Sequence, residues 1–341
     1  MRPDTPESAA LNESGQKQDR SDRAPTGIPG LDDVLHGGFP RNHVYLLEGD
    51  PGTGKTTLAL QFLLAGCHAG EEVLYVALSE TASELRGIAD SHGWSLDGID
   101  IFELTPVEAS LRPGEEYTIF HSDEVEMAET IKLIVDRAEQ RNPTRIVLDS
   151  LAEVRLLARD SIRYRRQILA LKQHLTAKNA TVLLLDDRTS HHNDRQMHSV
   201  VHGVIALERL QREYGKNRRR LEISKLRGAE FVEGYHDFSI GRGGLVVYPR
   251  LIAAHHHVPF DREMISSNIP GIDRLLGGGL DRGSSTLFVG PSGSGKTTLA
   301  MKYALGAVER AEKVAVYTFD EGIDSLLARA TGLKMQLRKH I

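Results

Sequence analysis

The chain has 341 residues, 40% hydrophobic and 26% charged, with a formal net charge of −5 at pH 7. These totals suit a soluble globular protein larger than one ordinary domain, and they exclude a nucleic-acid polycation. The single cysteine, Cys67, excludes an internal disulfide and fits a reducing compartment; it lies in the apolar run "LALQFLLAGC", where a buried structural thiol is expected.

Residues 1–24 are polar, charge-mixed and poor in aromatics, and predict a disordered tail without the hydrophobic stretch of a signal peptide. No later run approaches the 18 apolar residues of a membrane span, so a cytoplasmic protein without membrane contact is expected. Residues 25–250 alternate between strands and helices. "HVYLLEG" is a strand entering a glycine-rich loop, followed by the helix "KTTLALQFLLAGCHAG". "EEVLYVALS", "TRIVLDS" and "ATVLLLDD" are further strands, with helices at "TASELRGIADSHG", "EMAETIKLIVDRAEQRN" and "YRRQILALKQHLTAKN". Continuous apolar strands between helices predict an α/β fold with a mainly parallel sheet covered on both faces. "VIALERLQREYGKNRRRLEISKLRG" then reads as an antiparallel hairpin around Tyr-Gly-Lys-Asn. Residues 251–264 form a linker, and residues 265–341 a second, incomplete module.

That second module repeats the first. "TGIPGLDDVLHGGFPRNHVYLLEGDPGTGKTTLA" and "SNIPGIDRLLGGGLDRGSSTLFVGPSGSGKTTLA" align without a gap, and Lys55 with Lys296 and Glu80 with Glu321 are both 241 positions apart. The repeat covers the entry loop, first strand, phosphate loop, helix, second strand and the start of another helix. Asp149 lies 94 residues after Lys55, so its counterpart would fall beyond Ile341. A half-sheet with unpaired edges is expected to aggregate unless it is covered.

Both copies carry G-x-x-x-x-G-K-[ST], a loop whose backbone N–H groups cradle phosphate at a helix N-terminus. In the first copy the loop comprises Gly49, Asp50, Gly52, Thr53, Gly54, Lys55, Thr56 and Thr57. In the second it comprises Gly290, Ser292, Gly293, Ser294, Gly295, Lys296, Thr297 and Thr298. Lys55 would reach the β- and γ-phosphates, and the Thr56 hydroxyl a Mg²⁺ ion. Asp149 ends the strand "RIVLD" at the sheet edge where ligands bind, so it is the expected magnesium partner; the plainer alternative is a helix cap. Glu80 ends another strand and is placed to polarise the attacking water, against the alternative of a solvated glutamate. Lys225 and Arg227 share a strand face at i, i+2, where they act as trans cations on phosphate or simply face solvent.

The set "TGIPGLD…GG", "GDPGTGKTT", "LSE", "RIVLDSL" and "ISKLRG…GYHDFSI" resembles the KaiC-like family of RecA-type P-loop ATPases over residues 25 to about 335. The resemblance implies tandem RecA-like domains, a homohexameric ring, and ATP rather than GTP held between neighbours. It assigns Lys55, Thr56 and Thr57 to the phosphate loop, Glu80 to catalysis and Asp149 to the second acidic motif. It also implies that Lys225 and Arg227 approach the nucleotide of the adjacent subunit, and that Ser91, in "SHGW", lies near the base. There are departures: the family has a second glutamate where Ser79 precedes Glu80, and polar residues where this chain has Ala229 and Phe231. The family's autophosphorylated serine and threonine lie in a later part of its second domain.

The functional expectation is an ATP-hydrolysing, ring-forming conformational switch in signalling, with protein partners unknown. A serine/threonine autokinase, a RecA-like DNA-dependent ATPase and a non-hydrolysing ATP-bound scaffold are the alternatives. The DNA reading needs basic channel loops, whereas "DDRTSHHNDRQMHS" is mixed and "KNRRR" sits at a hairpin turn, so nucleic-acid binding is not expected. His191, His192, His198 and His255 to His257 suit a single metal poorly, because adjacent residues on extended chain face opposite ways. Trp94 and Phe102 are expected in the core.

Overall fold

The computed structural model describes residues 22–104, 123–158, 161–188, 196–211, 213–252 and 263–340. The expected tail up to residue 21, and His191, His192 and His255 to His257, lie outside these residues. Two compact units divide the chain, one ending at Leu251 and the other covering Ile252–Ile341.

In the first unit Arg23–Ala24 (β1) pairs with Phe39–Pro40 (β2), so the last residues of the segment expected as tail form a strand. Between them lies the short helix Leu31–Val34 (α1). The phosphate-loop strand Val44–Gly49 (β3) leads to the helix Lys55–His68 (α2). Val73–Ala77 (β4) follows, then Ala82–His92 (α3), Ile99–Glu103 (β5), the helix Asp123–Arg141 (α4) and Arg145–Asp149 (β6). Helices Leu151–Leu156 (α5) and Ser161–Ala177 (α6) precede Thr181–Asp187 (β7), and the short helix Gln196–Val200 (α7) precedes Gly203–Leu210 (β8). Arg218–Leu226 (β9), Tyr235–Gly241 (β10) and Gly244–Tyr248 (β11) complete the unit.

These strands form a nine-stranded sheet in the order β11-β10-β9-β8-β3-β7-β6-β4-β5. From β8 to β5 every pairing is parallel, and β9 to β11 add an antiparallel flank. Alternate residues enter two cores. Tyr45, Leu47 and Tyr75 pack with α2 and α3, while Leu46, Val76 and Leu148 pack with α4 and α6. Burying each large apolar side chain contributes about 1.5–3 kcal/mol. α2 is apolar almost all round, as its central place requires, and Gln61 fastens it to β11. The Gln61 amide donates to Leu245 O at 3.3 Å, and its Oε1 accepts from Leu245 N at 2.8 Å.

Arg145, at the start of β6, is fully buried among apolar neighbours. Its guanidinium donates to Glu71 Oε2 at 2.7 Å, Pro25 O at 2.7 Å and Phe62 O at 2.8 Å. The charge is thereby paired and its donors are used, the condition under which burial is tolerated.

The second unit departs from expectation. Met264–Ile265 (β12), which straddles the expected boundary between linker and second module, pairs with Leu280–Asp281 (β13), and the helices are Pro270–Leu275 (α8), Lys296–Glu309 (α9) and Ile323–Gly332 (α10). The segments matching β3 and β4 pair with nothing as strands, and Leu287, Val289, Tyr317 and Phe319 are exposed. The first unit supplies the reason. There β3 and β4 are not neighbours, because β7 and β6 stand between them, so two such strands alone have no mutual hydrogen-bonding partner. The second unit keeps a small core of Met301, Leu326, Leu327, Ala330, Met335 and Leu337.

Candidate active site

Parallel register brings the C-terminal ends of β3, β4, β6 and β7 to one edge, where Gly49 aligns with Asp187 and Ala77 with Asp149. Ligands of open α/β sheets bind at this edge. β3 ends in the loop Gly49 to Gly54, with Gly52 at φ 75° and Gly54 at φ 112°. The backbone conformation of Gly54 favours glycine, and a Cβ there would also lie 2.5 Å from Ile240 Cδ1, which would have to move. Gly54 offers no side-chain cap to α2, so the first N–H groups of that helix are left for a ligand. Thr53 is buried and closes the loop by donating to Asp50 O at 2.8 Å.

Lys55 folds back over the loop. Its Nζ donates to Gly49 O at 2.8 Å and Asp50 O at 3.2 Å, and pairs with Asp187 Oδ1 at 2.6 Å. The Thr56 hydroxyl donates to Asp149 Oδ2 at 3.3 Å, and the buried Tyr75 hydroxyl donates to the same oxygen at 2.6 Å. Burial pushes the Asp149 carboxyl up, against the hydrogen bonds from Tyr75 and Thr56 and the charge of Lys55. Thr56 and Asp149 are therefore side by side, as a shared magnesium ion would need.

Glu80 lies between β4 and α3, immediately before the N-cap Thr81, which forms a capping box with Glu84. The capping box fixes the chain just beyond Glu80. Its Oε2 is buried without a hydrogen-bond partner. Burial, then the negative charges of Asp149 and Glu84, push the Glu80 carboxyl up to about 7, while Lys55 opposes the shift. A carboxylate titrating near neutrality, with one oxygen unsatisfied and within the field of Asp149, has the properties of a general base. The orphaned oxygen, the uncapped helix and the Thr56–Asp149 pair together fit a magnesium-bound nucleotide triphosphate.

Lys225 and Arg227 stand elsewhere. Lys225 aligns with Val204 and Gly203 aligns with Tyr45, which puts both cations at the N-terminal edge of β3 and β8, opposite the phosphate loop. They converge on the C-terminus of α7: Lys225 Nζ donates to His198 O and to Val201 O at 2.7 Å, and Arg227 to Ser199 O at 3.1 Å. Neither reaches the loop of its own unit. Ser91 lies in the last turn of α3, at the far end of that helix from Glu80, and its hydroxyl donates to Ile88 O at 2.7 Å. The fold does not bring Ser91 to the Lys55–Glu80 cluster. Trp94 and Phe102 pack against the two cores, as do Ala229 and Phe231 against the first.

Asp187 and Tyr75 were not singled out by sequence reasoning. Asp187 carries the signal that marks Asp149, a carboxylate closing an apolar strand. Tyr75 carries none, because only register places its hydroxyl on Asp149. Arg218 forms a two-pronged pair with Asp237 and Arg220 pairs with Glu208, so two of the four cations of the "KNRRR" cluster are paired within its own sheet. His198 Nε2 donates to Glu48 Oε2 at 2.8 Å, and among the described residues no group of three or more His, Cys, Asp or Glu is placed to hold a metal.

In the second unit Lys296 Nζ repeats the two carbonyl contacts, to Gly290 O and Pro291 O, both at 2.8 Å. Gly293 and Gly295 take the same left-handed conformation as Gly52 and Gly54. Glu321 pairs with Arg329 rather than facing the loop. Gly290, Ser292, Ser294, Thr297 and Thr298 thus belong to a loop that forms from local geometry alone.

The fold and the loop define a RecA-like P-loop ATPase domain. The chain matches the family described as "ATPase: KaiC" over residues 24–252 and 265–341, and it belongs to that family. It is 29% identical over 326 residues to a protein of Synechocystis sp. named "Circadian clock protein KaiC3", covering 93% of this chain and 63% of the relative. It is 30% identical over 319 residues to the "Circadian clock oscillator protein KaiC" of Prochlorococcus marinus (strain MIT 9313), covering 91% and 62%. The chain therefore spans less than two thirds of these relatives. Membership implies nucleotide binding, generally with Mg²⁺. Among the described residues no helix is long and apolar enough to cross a membrane.

Proposed function

We propose that the first unit hydrolyses ATP with Mg²⁺ at a site completed by a second copy of the chain, in a ring that acts as a conformational switch. The observation that carries this reading is the convergence of Lys55, Thr56, Asp149 and the unsatisfied Glu80 on one sheet edge. Lys55 and the loop N–H groups hold the triphosphate, while Thr56 and Asp149 hold the metal, which neutralises phosphate charge when bound. Glu80 orients a water on the γ-phosphorus and accepts its proton as the bond to the β-phosphate oxygen breaks. The cations at the opposite edge support assembly, since Lys225 and Arg227 can stabilise developing phosphate charge only on a neighbour's nucleotide.

The test is subunit mixing. Glu80→Gln and Lys225→Ala should each release phosphate from ATP far more slowly than the parent, on particles that light scattering finds larger than a monomer. Mixing the two variants should restore part of the rate, because some interfaces then pair an intact Glu80 with an intact Lys225. A Lys225→Ala protein with parental turnover, or no recovery on mixing, would remove the shared site.

A further inference from the structure

We propose that Asp187 competes with the terminal phosphates of the nucleotide for Lys55, and so sets how tightly the loop is filled. This rests on the nucleotide reading above. An ammonium group has three N–H donors, and Lys55 uses all three: on Gly49 O, Asp50 O and Asp187 Oδ1. Gripping a phosphate therefore requires one partner to be given up. The two carbonyl bonds belong to the loop itself, because Lys296 makes the same pair in the second unit with no aspartate on it among the described residues. The contact exchanged is the one to Asp187.

Asp187 is held in position by the backbone. It is the last residue of β7 and aligns with Gly49, the first residue of the loop. The next residue, Arg188, pairs with Glu48 and Glu208. Asp187 keeps about a third of its side-chain surface exposed, whereas Lys55 keeps a tenth. The aspartate is thus the partner nearer solvent, and the lysine the one enclosed by the loop. Asp149, Asp186 and Asp187 crowd one edge, but Asp186 is already paired with Arg155. Asp187 is the carboxylate of this group that meets the phosphate-gripping cation directly.

The experiment compares the full chain with its Asp187→Asn variant by two readouts. The first is acylation of Lys55 by an amine reagent without nucleotide, measured by peptide mass spectrometry and normalised to Lys296 in the same molecule. The second is equilibrium binding of a fluorescent ATP analogue with Mg²⁺. Loss of the ion pair should raise Lys55 labelling relative to Lys296. Affinity should tighten on the order of five- to tenfold, the size of one unit-charge contact near water. Unchanged labelling overturns the proposal whatever the affinity does, and so does unchanged or weaker binding by the variant. If labelling rises but neither protein binds the analogue, the nucleotide reading itself has failed and the competition falls with it.

Discussion

Two residues set the chemistry and the stability of this protein through opposite treatments of a carboxylate. Glu80 is isolated, and burial raises it to about 7. Its ionised form is the one that accepts a proton, so phosphate release should be low in mild acid, climb through pH 7 and level off above it. Glu80→Gln should lower the rate by about 10²-fold or more and flatten that profile, because general bases contribute on this scale. A variant that keeps the pH dependence would assign the titration to another group. Glu71 is treated the other way. Burial pushes it up, but hydrogen bonds from Arg145 and Arg41 outweigh this and hold it at about 2, below its ordinary 4.5. The pair therefore stabilises the fold above pH 4.5, and that contribution is lost as pH falls towards 2. Arg145→Met leaves Glu71 mostly buried with less cationic support, and should cost about 3–5 kcal/mol in denaturant unfolding at pH 7. The gap from the parent should narrow in acid. Lys55, Thr56, Asp149 and Glu80 are legible in the sequence because each lies in a motif or closes a strand. Asp187 is legible by the same rule. Tyr75 is not, since its role depends on the neighbour that register gives it.

At the scale of elements, the sequence carries the parallel strands and their helices, because apolar runs and amphipathic periods are local signals. β5 and α7 are not legible: each is short, and "IDIFE" mixes charge into a strand that only an edge position explains. That the segments matching β3 and β4 are not strands in the second unit is likewise a matter of topology, invisible to a pattern that reads "TLFVG" and "VAVYTF" as good strand sequences. The flank of the sheet depends on one close approach. Gly244 has φ 100°, and a Cβ there would lie 2.3 Å from Trp94 Cζ2 and 2.7 Å from Gln61 Cδ. Gly244→Ala should therefore displace Gln61 from Leu245, loosen α2 from β11, and destabilise the unit by about 1–3 kcal/mol, as overpacked cores do. Gly243 is the internal control: its φ is 95°, but nothing lies within 4 Å of an added Cβ. Thermal unfolding of both alanine variants checks the claim, and equal losses would trace the effect to backbone conformation alone.

For the whole molecule, each unit draws its core from its own residues: the two large clusters lie before Leu251 and the small one after Ile252. The complete sheet, the Lys55–Glu80 edge and the Lys225–Arg227 edge all belong to the first unit, so its fold does not need the second. A chain ending at Leu251 should unfold with the same midpoint as the first transition of the full chain, and bind a fluorescent ATP analogue with unchanged affinity. It should also aggregate less, since Leu287, Val289, Tyr317 and Phe319 expose apolar surface on segments with unpaired backbone, the combination that seeds edge-to-edge association. Calorimetry, titration and light scattering on the two proteins decide this. Loss of cooperative unfolding in the shortened chain would show that the second unit stabilises the first, and would make the repeat a structural partner of the ATPase domain.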